Sequence, residues 1–145
     1  MVTWCGRNNL QTNTSKTREM TIDFRKEKSP VTPLMIKGSP IEIVDSFTFL
    51  GTIISLGLDW EASISSILKK AQQRVYFLCR LERFGLRREI LLRFYRVVTE
   101  SVLCFSLSVW FGSTTKNQRR RLSRAVKNAA HIAGCGLPSL GYVYL

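Results

Sequence analysis

Residues Asp59–Gly85, DWEASISSILKKAQQRVYFLCRLERFG, decide the fold class. Ile64, Ile67/Leu68, Ala71, Val75 and Leu78 recur at three- and four-residue spacing, which lines up one face of an α-helix. Asp59 is a candidate N-cap and Gly85 a candidate C-cap, so the spacing predicts a helix between them. Further on, Leu91, Phe94, Val98, Ser101 and Phe105 form a second stripe ending near Gly112. Leu122, Ala125/Val126, Ala129 and Ile132/Ala133 form a third, closed by Gly134 and Pro138. Three helices joined by short turns predict an antiparallel bundle over about 60–134.

Toward the N-terminus the period changes. Thr17–Arg25 partly alternates, Lys28–Pro33 holds two prolines and reads as a loop, and Leu34–Lys37 reads as a short strand before a Gly38-Ser39-Pro40 turn. Ile41–Val44 and Phe47–Ile54 are β-branched and aromatic, with Gly51 marking a bulge or a close backbone approach. The expectation is a small antiparallel sheet of three or four strands over about 17–56. The fold class is therefore α+β, with a strand-rich domain at 1–58 and a basic helical domain at 59–145.

Charge divides the chain in the same way. Residues 1–68 hold seven Lys/Arg and seven Asp/Glu, so they are neutral. Residues 69–127 hold fifteen Lys/Arg against Glu82, Glu89 and Glu100, which accounts for the whole formal charge of +12. Such asymmetry points to a polyanion, and nucleic acid is the commonest one. Beyond residue 71, arginine outnumbers lysine eleven to two, and its planar fork suits phosphate pairing and stacking on bases. Lys70, Arg74, Arg80, Arg87, Arg88, Arg93, Arg120, Arg121 and Arg124 fall off the apolar stripes and are the candidate contacts. Tyr76, Phe77, Phe84, Phe94 and Tyr95 interleave with them as candidate stacking residues, although helical spacing assigns most of these to the core.

Other chemistry is poorly supplied. Cys5, Cys79, Cys104 and Cys135 lack zinc-ligand spacing, and His131 is the single histidine, so no metal site and no cofactor is expected. One histidine without a G-x-S-x-G elbow makes no hydrolytic triad, and no phosphate-cradling glycine loop occurs. The N-terminus MVTWCGRNNL has no signal-peptide core, and Ser101–Gly112 is too short to span a bilayer, so an intracellular chain is expected. Three stripes that bury one another leave no wide apolar face for a membrane surface. The expected partner is RNA or DNA through its phosphates, with no small-molecule substrate.

Several runs resemble the reverse transcriptases of non-LTR (LINE-type) retrotransposons. Trp4-Cys5, Asn8-Asn9-Leu10, Asn13 and Lys16-Thr17 are similar to a WC..NNL..N..KT stretch of that family. SFTFLGTIIS (46–55) resembles its SFKYLG segment. KKAQQRVYFLCRLERFGL (69–86), FYRVVTESVL (94–103), VWFG (109–112) and LPSL (137–140) resemble the region that follows. The resemblance implies that Lys16 lies near the incoming nucleotide as a candidate proton donor to the leaving pyrophosphate. It implies that Phe49-Leu50-Gly51 belongs to a primer grip, and that the helices form a thumb around the template–primer duplex. Polymerase chemistry needs paired aspartates holding two metal ions. Asp23, Asp45 and Asp59 are not adjacent. The expectation is a C-terminal reverse-transcriptase fragment that binds nucleic acid without polymerising it.

The segment from about Leu68 to Leu103 also resembles the N-terminal region of AlkB homologue eight, a tRNA-modifying oxygenase and methyltransferase. That likeness implies 2-oxoglutarate, Fe(II) and methyl transfer. A non-haem iron site takes two histidines and a carboxylate, for which His131 alone is insufficient. The alternatives to a nucleic-acid-binding fragment are thus a domain associated with tRNA modification and an inert or protein-interacting remnant.

Overall fold

The computed structural model describes residues 2–26 and 30–144. Lys28 and Ser29, the start of the expected loop, lie outside the described residues. The fold is α+β, and the chain divides into two compact units, 1–58 and 59–145.

The first unit begins with α1 (Val2–Arg7). Its end is built by the asparagines of the WC..NNL run. Asn8 Nδ2 donates to the Trp4 carbonyl at 2.8 Å, and Asn9 takes a left-handed conformation at φ 56°. The Leu10 N–H then returns to the Cys5 carbonyl at 2.9 Å, satisfying a carbonyl that the helix end leaves open. A 3₁₀ turn, Thr14–Lys16, follows.

Among the described residues six short strands come next: β1 (Arg18–Glu19), β2 (Met35–Ile36), β3 (Ser39–Pro40), β4 (Glu42–Ile43), β5 (Ser46–Phe49) and β6 (Thr52–Ser55). They form three separate two-stranded ladders rather than one antiparallel sheet. β2–β3 and β5–β6 are antiparallel, whereas β1–β4 is parallel. Four of the six strands are two residues long, so each ladder presents too little apolar surface to recruit a third strand. Glu19 stitches the parallel pair. Its carbonyl accepts from the Val44 N–H at 2.9 Å, and its carboxylate accepts from the Leu34 N–H at 2.8 Å.

Two local expectations are corrected. Ser39-Pro40 is a strand, and the turn before it is Lys37-Gly38, with φ 51° and 78°. Gly51 is not a bulge, since the β5–β6 register runs without interruption. Leu50 and Gly51, at φ 47° and 85°, are the two central residues of the β5–β6 hairpin turn. Positive φ at both positions matches the right-handed twist of the strands they join.

The second unit has three helical passes. The first is α2 (Glu61–Arg83). The middle pass is broken: α3 (Arg88–Phe94), a π-helical segment (Tyr95–Glu100), α4 (Ser101–Leu103) and α5 (Leu107–Trp110). The third is α6 (Lys116–Ala133), followed by α7 (Leu140–Tyr144). Trp60, not Asp59, occupies the N-cap of α2, and the Asp59 carboxylate instead accepts from the Glu61 N–H at 3.1 Å. At the other end Phe84 is the C-cap, and Gly85 takes the left-handed position beyond it.

The stripes of α2 and α6 turn inward as their spacing predicts: Ile64, Ile67, Leu68, Ala71 and Leu78 are buried on one and Leu122, Ala125, Val126, Ala129 and Ala133 on the other, with Val75 and Ile132 partly buried. The middle stripe is corrected. Leu91 is buried, but Ser101 and Phe105 are exposed, and the inward residues are Tyr95, Thr99, Leu103, Leu107 and Trp110. From Leu91 to Leu107 the buried positions recur every fourth residue. An ideal α-helix would rotate such a row away from the core by about 40° per step. The wider π turn at Tyr95–Glu100 helps to keep the row facing inward.

Gln118 at the start of α6 touches Asp59 and Glu61 at the start of α2, and Ala129 packs with Leu78 further along. The two helices therefore run in the same direction, with the middle pass returning between them. Leu78, Leu91, Tyr95 and Ala129 form the junction of all three.

Candidate nucleic-acid interface

The start of α6 is fixed by a capping box. The Gln118 N–H donates to Thr115 Oγ1 at 3.3 Å, and the Thr115 N–H donates to Gln118 Oε1 at 2.9 Å. The other end of the Gln118 amide, although buried, donates to the Asp59 carbonyl at 3.0 Å and to Glu61 Oε2 at 3.1 Å. One side chain thus aligns the beginnings of α2 and α6. Sequence reasoning missed it, although the T-x-x-Q spacing of Thr115 and Gln118 is its visible signal.

Around this joint sits a polar network. The Arg121 guanidinium pairs with Glu61 and donates to Ser65 Oγ at 2.9 Å, while Ser65 Oγ donates to Glu61 Oε1 at 2.9 Å. Hydrogen bonds from Arg121, Gln118 and Ser65 hold the Glu61 carboxyl at a pKa of about 2, well below its ordinary value.

The candidate cations fall into two groups. Three have intramolecular neighbours. Arg121 is engaged by Glu61 and Ser65, and the Arg80 guanidinium lies 5.9 Å from the centre of the Phe84 ring. Arg88 reaches the end of α6, where a Cβ placed on Gly134 would come within 2.7 Å of its Nη2. A cation there also complements the negative end of the helix dipole. Lys70, Arg87, Arg93, Arg120 and Arg124 are exposed, and Arg74 is partly exposed. Arg124 and Arg121 line a shallow groove between α2 and α6, floored by Val75 and Ala125 and edged by the amides of Gln72 and Asn128.

The candidate stacking residues also separate. Tyr76, Phe77 and Phe84 are exposed, Phe94 is partly buried, and Tyr95 is buried. Burial, reinforced by Glu100, pushes the Tyr95 phenol above its ordinary pKa, so it remains neutral. Burial likewise raises the Cys104 thiol, with Glu100 adding to the effect, which keeps it protonated and unreactive.

In the first unit, Lys16 is exposed at the end of the 3₁₀ turn. Asn13 organises that turn: its side chain accepts from the Lys16 N–H at 3.2 Å, and its carbonyl accepts from Thr17 Oγ1 at 2.8 Å. Phe49, Leu50 and Gly51 form the exposed tip of the β5–β6 hairpin.

Among the described residues no three His, Cys, Asp or Glu side chains come together as a metal site, and His131 is exposed on α6. Among them, too, no helix is long and apolar enough to cross a membrane. With His131 alone on α6, the described residues do not supply the two histidines and carboxylate of an Fe(II)–2-oxoglutarate centre.

No curated protein and no solved structure matches the chain. A family model described as alkylated DNA repair protein alkB homolog 8, N-terminal, matches residues 60–101. The matched stretch starts on the N-cap of α2 and ends on the first residue of α4, so it covers the first helical pass and most of the second. In that helical hairpin this chain is similar to the N-terminal region of an alkB homologue.

Proposed function

We propose that the helical unit, 59–145, is a nucleic-acid-binding module of the alkB-homologue N-terminal type, gripping the phosphate backbone without reading sequence. The observation that carries this reading is the concentration of exposed arginine on the matched hairpin and on α6. Arg87, Arg93, Arg120 and Arg124 all present their charge to solvent. A surface evolved only for solubility mixes signs, and this one is overwhelmingly positive. The family's name refers to repair of alkylated DNA, and a nucleic-acid partner accords with it. The role is auxiliary: it holds DNA or RNA, tRNA included, beside a modifying activity.

A second reading takes the same surface as the thumb of a LINE-type reverse transcriptase. It rests on the sequence resemblance, and two local features are compatible with it. Asn13 builds the turn that displays Lys16, and the β5–β6 hairpin displays Phe49, Leu50 and Gly51 at its tip. Both readings require phosphate binding and neither assigns catalysis to the described residues.

The test is a titration of the chain against labelled DNA and RNA at several salt concentrations. Neutralising several phosphates releases counterions, so affinity should fall by roughly a hundredfold or more between about 50 and 200 mM salt. Replacing Arg93, Arg120 and Arg124 together by Ala should lower affinity and flatten that dependence. To separate the two readings, the Phe49→Ala/Leu50→Ala double variant is titrated against a recessed primer–template and a blunt duplex. Selective loss of the primer–template favours the reverse-transcriptase reading. Equal affinities favour the alkB-type reading.

A further inference from the structure

Resting on the nucleic-acid reading above, we infer that the outer face of α2 is a stacking platform for unpaired bases. Tyr76 and Phe77 on α2 and Phe84 at its C-cap are 61%, 49% and 75% exposed, and the opposite face of the helix is in the core. Three large rings left in water cost free energy that ordinary surface residues do not. Helical spacing gathers them on the same side as Lys69, Gln72, Gln73 and Arg80, since positions three, four and seven apart share a face.

The geometry suits flat ligands. The Tyr76 and Phe77 rings meet edge to face, with centroids 5.9 Å apart and planes 65° apart, so each steadies the other's orientation. They form one wall of a shallow concavity whose other lining residues are Lys69, Gln72 and Gln73. One helical turn on, Arg80 lies over the Phe84 ring, which orients a second aromatic surface next to a cation. The face therefore alternates ring, amide and cation. Glu82, the acid nearest in sequence, is two residues beyond Arg80 and so projects about 200° around the helix, away from this face.

Unpaired nucleotides are the occupant that this combination fits. Each base has a π-face for a ring, its edge offers donors and acceptors to Gln72 and Gln73, and its phosphate answers Lys69 or Arg80. In a duplex the bases already stack on each other, so the rings would have nothing to engage. A partner helix would ask for a continuous aliphatic stripe, which the cations and amides interrupt.

The test uses the full 145-residue chain and two probes of roughly ten nucleotides, a single strand and a blunt duplex of the same sequence. The single strand carries a fluorescent adenine analogue that is quenched by stacking. Wild type should quench the analogue. Tyr76→Ala, Phe77→Ala and Phe84→Ala should each weaken single-strand binding by roughly tenfold, with the quenching lost and duplex affinity within about twofold of wild type. Since the three side chains are exposed and Ala favours helix, circular dichroism should show an unchanged fold. Duplex binding with no quenching, or ring variants that bind the single strand like wild type, overturns the platform and leaves the proposed function standing. Failure to bind either probe overturns both.

Discussion

The two units solve the problem of being a folded chain in opposite ways. Among the described residues of 1–58, Ile41 and Thr52 alone are buried, and Phe24, Leu34, Met35 and Leu50 stand exposed. Its elements are held by individual hydrogen bonds: Asn8 at the end of α1 and Asn13 around Lys16 act locally, and Glu19 ties β1, β4 and Leu34 together across a longer stretch of chain. The helical unit instead buries hydrophobic residues from Trp60 to Leu140, with Trp110, Tyr95, Leu78, Leu103 and Leu122 fully enclosed. Local hydrogen bonds specify conformation but contribute only about 1 kcal/mol each net of water, whereas a buried leucine contributes about 2 kcal/mol or more. Cooperative stability should therefore reside in residues 59–145.

The strongest way to break that comparison is a core truncation. Leu78→Ala, at the junction of all three passes, should cost about 3 kcal/mol and lower the denaturation midpoint followed by helical circular dichroism. Phe24→Ala, removing a larger but 81% exposed side chain from the first unit, should shift the same midpoint by less than about 0.5 kcal/mol. Equal shifts would show that the helical core does not dominate.

Gly134→Ala sharpens the picture at the end of α6. Gly134 sits at φ 64°, and a new Cβ would displace the Arg88 guanidinium. A loss of about 1–2 kcal/mol is expected, most of it from the left-handed backbone and little from the flexible arginine tip. Arg88→Ala in the same background should restore almost nothing if that division holds.

At the beginning of α6, Thr115→Ala removes one half of the capping box. It should cost about 1 kcal/mol by chemical denaturation, whereas Thr115→Ser should be nearly silent.

The smallest effect is acid-dependent. Glu61 has its folded pKa lowered to about 2, chiefly by its hydrogen bond with Arg121. A lowered carboxylate pKa stabilises the fold above the unfolded value of about 4.5, and that contribution is lost as pH falls toward 2. Since the side chain is half exposed, solvent screening keeps the contribution to a fraction of a kcal/mol. Glu61→Gln should therefore flatten stability slightly between about pH 4.5 and 2, and a steeper dependence than wild type would contradict this assignment.

How much of this was legible in the chain follows from which residues act locally. The α2 and α6 stripes, Gly85 beyond α2 and Gly134 beyond α6 were readable, because helical period and left-handed glycine are nearest-neighbour properties. The middle pass was not. A 3.6-residue template selects Phe94, Val98 and Phe105, whereas the π segment turns Tyr95, Thr99 and Leu103 inward. The ladders of the first unit were misjoined because two-residue strands carry almost no pairing signal, and Arg18 pairing with Glu42 spans a long stretch of chain. At the candidate interface, the exposed cations on the helices were legible as residues off the stripes. The engagement of Arg121 by Glu61, and of Arg88 by the end of α6, depends on neighbours remote in sequence. The separation of exposed Tyr76, Phe77 and Phe84 from buried Tyr95 needed the same tertiary knowledge.

The proposed function stands or falls with phosphate-backbone binding by the arginine-rich helical unit. Its most direct measurement is the affinity of the full chain for labelled DNA and RNA as salt is raised from about 50 to 200 mM. The expected result is retention of the probe at low salt and a linear, steep fall of log affinity with log salt concentration, shallower in the Arg93/Arg120/Arg124 triple alanine variant. No retention at low salt, or an affinity indifferent to salt, would contradict it.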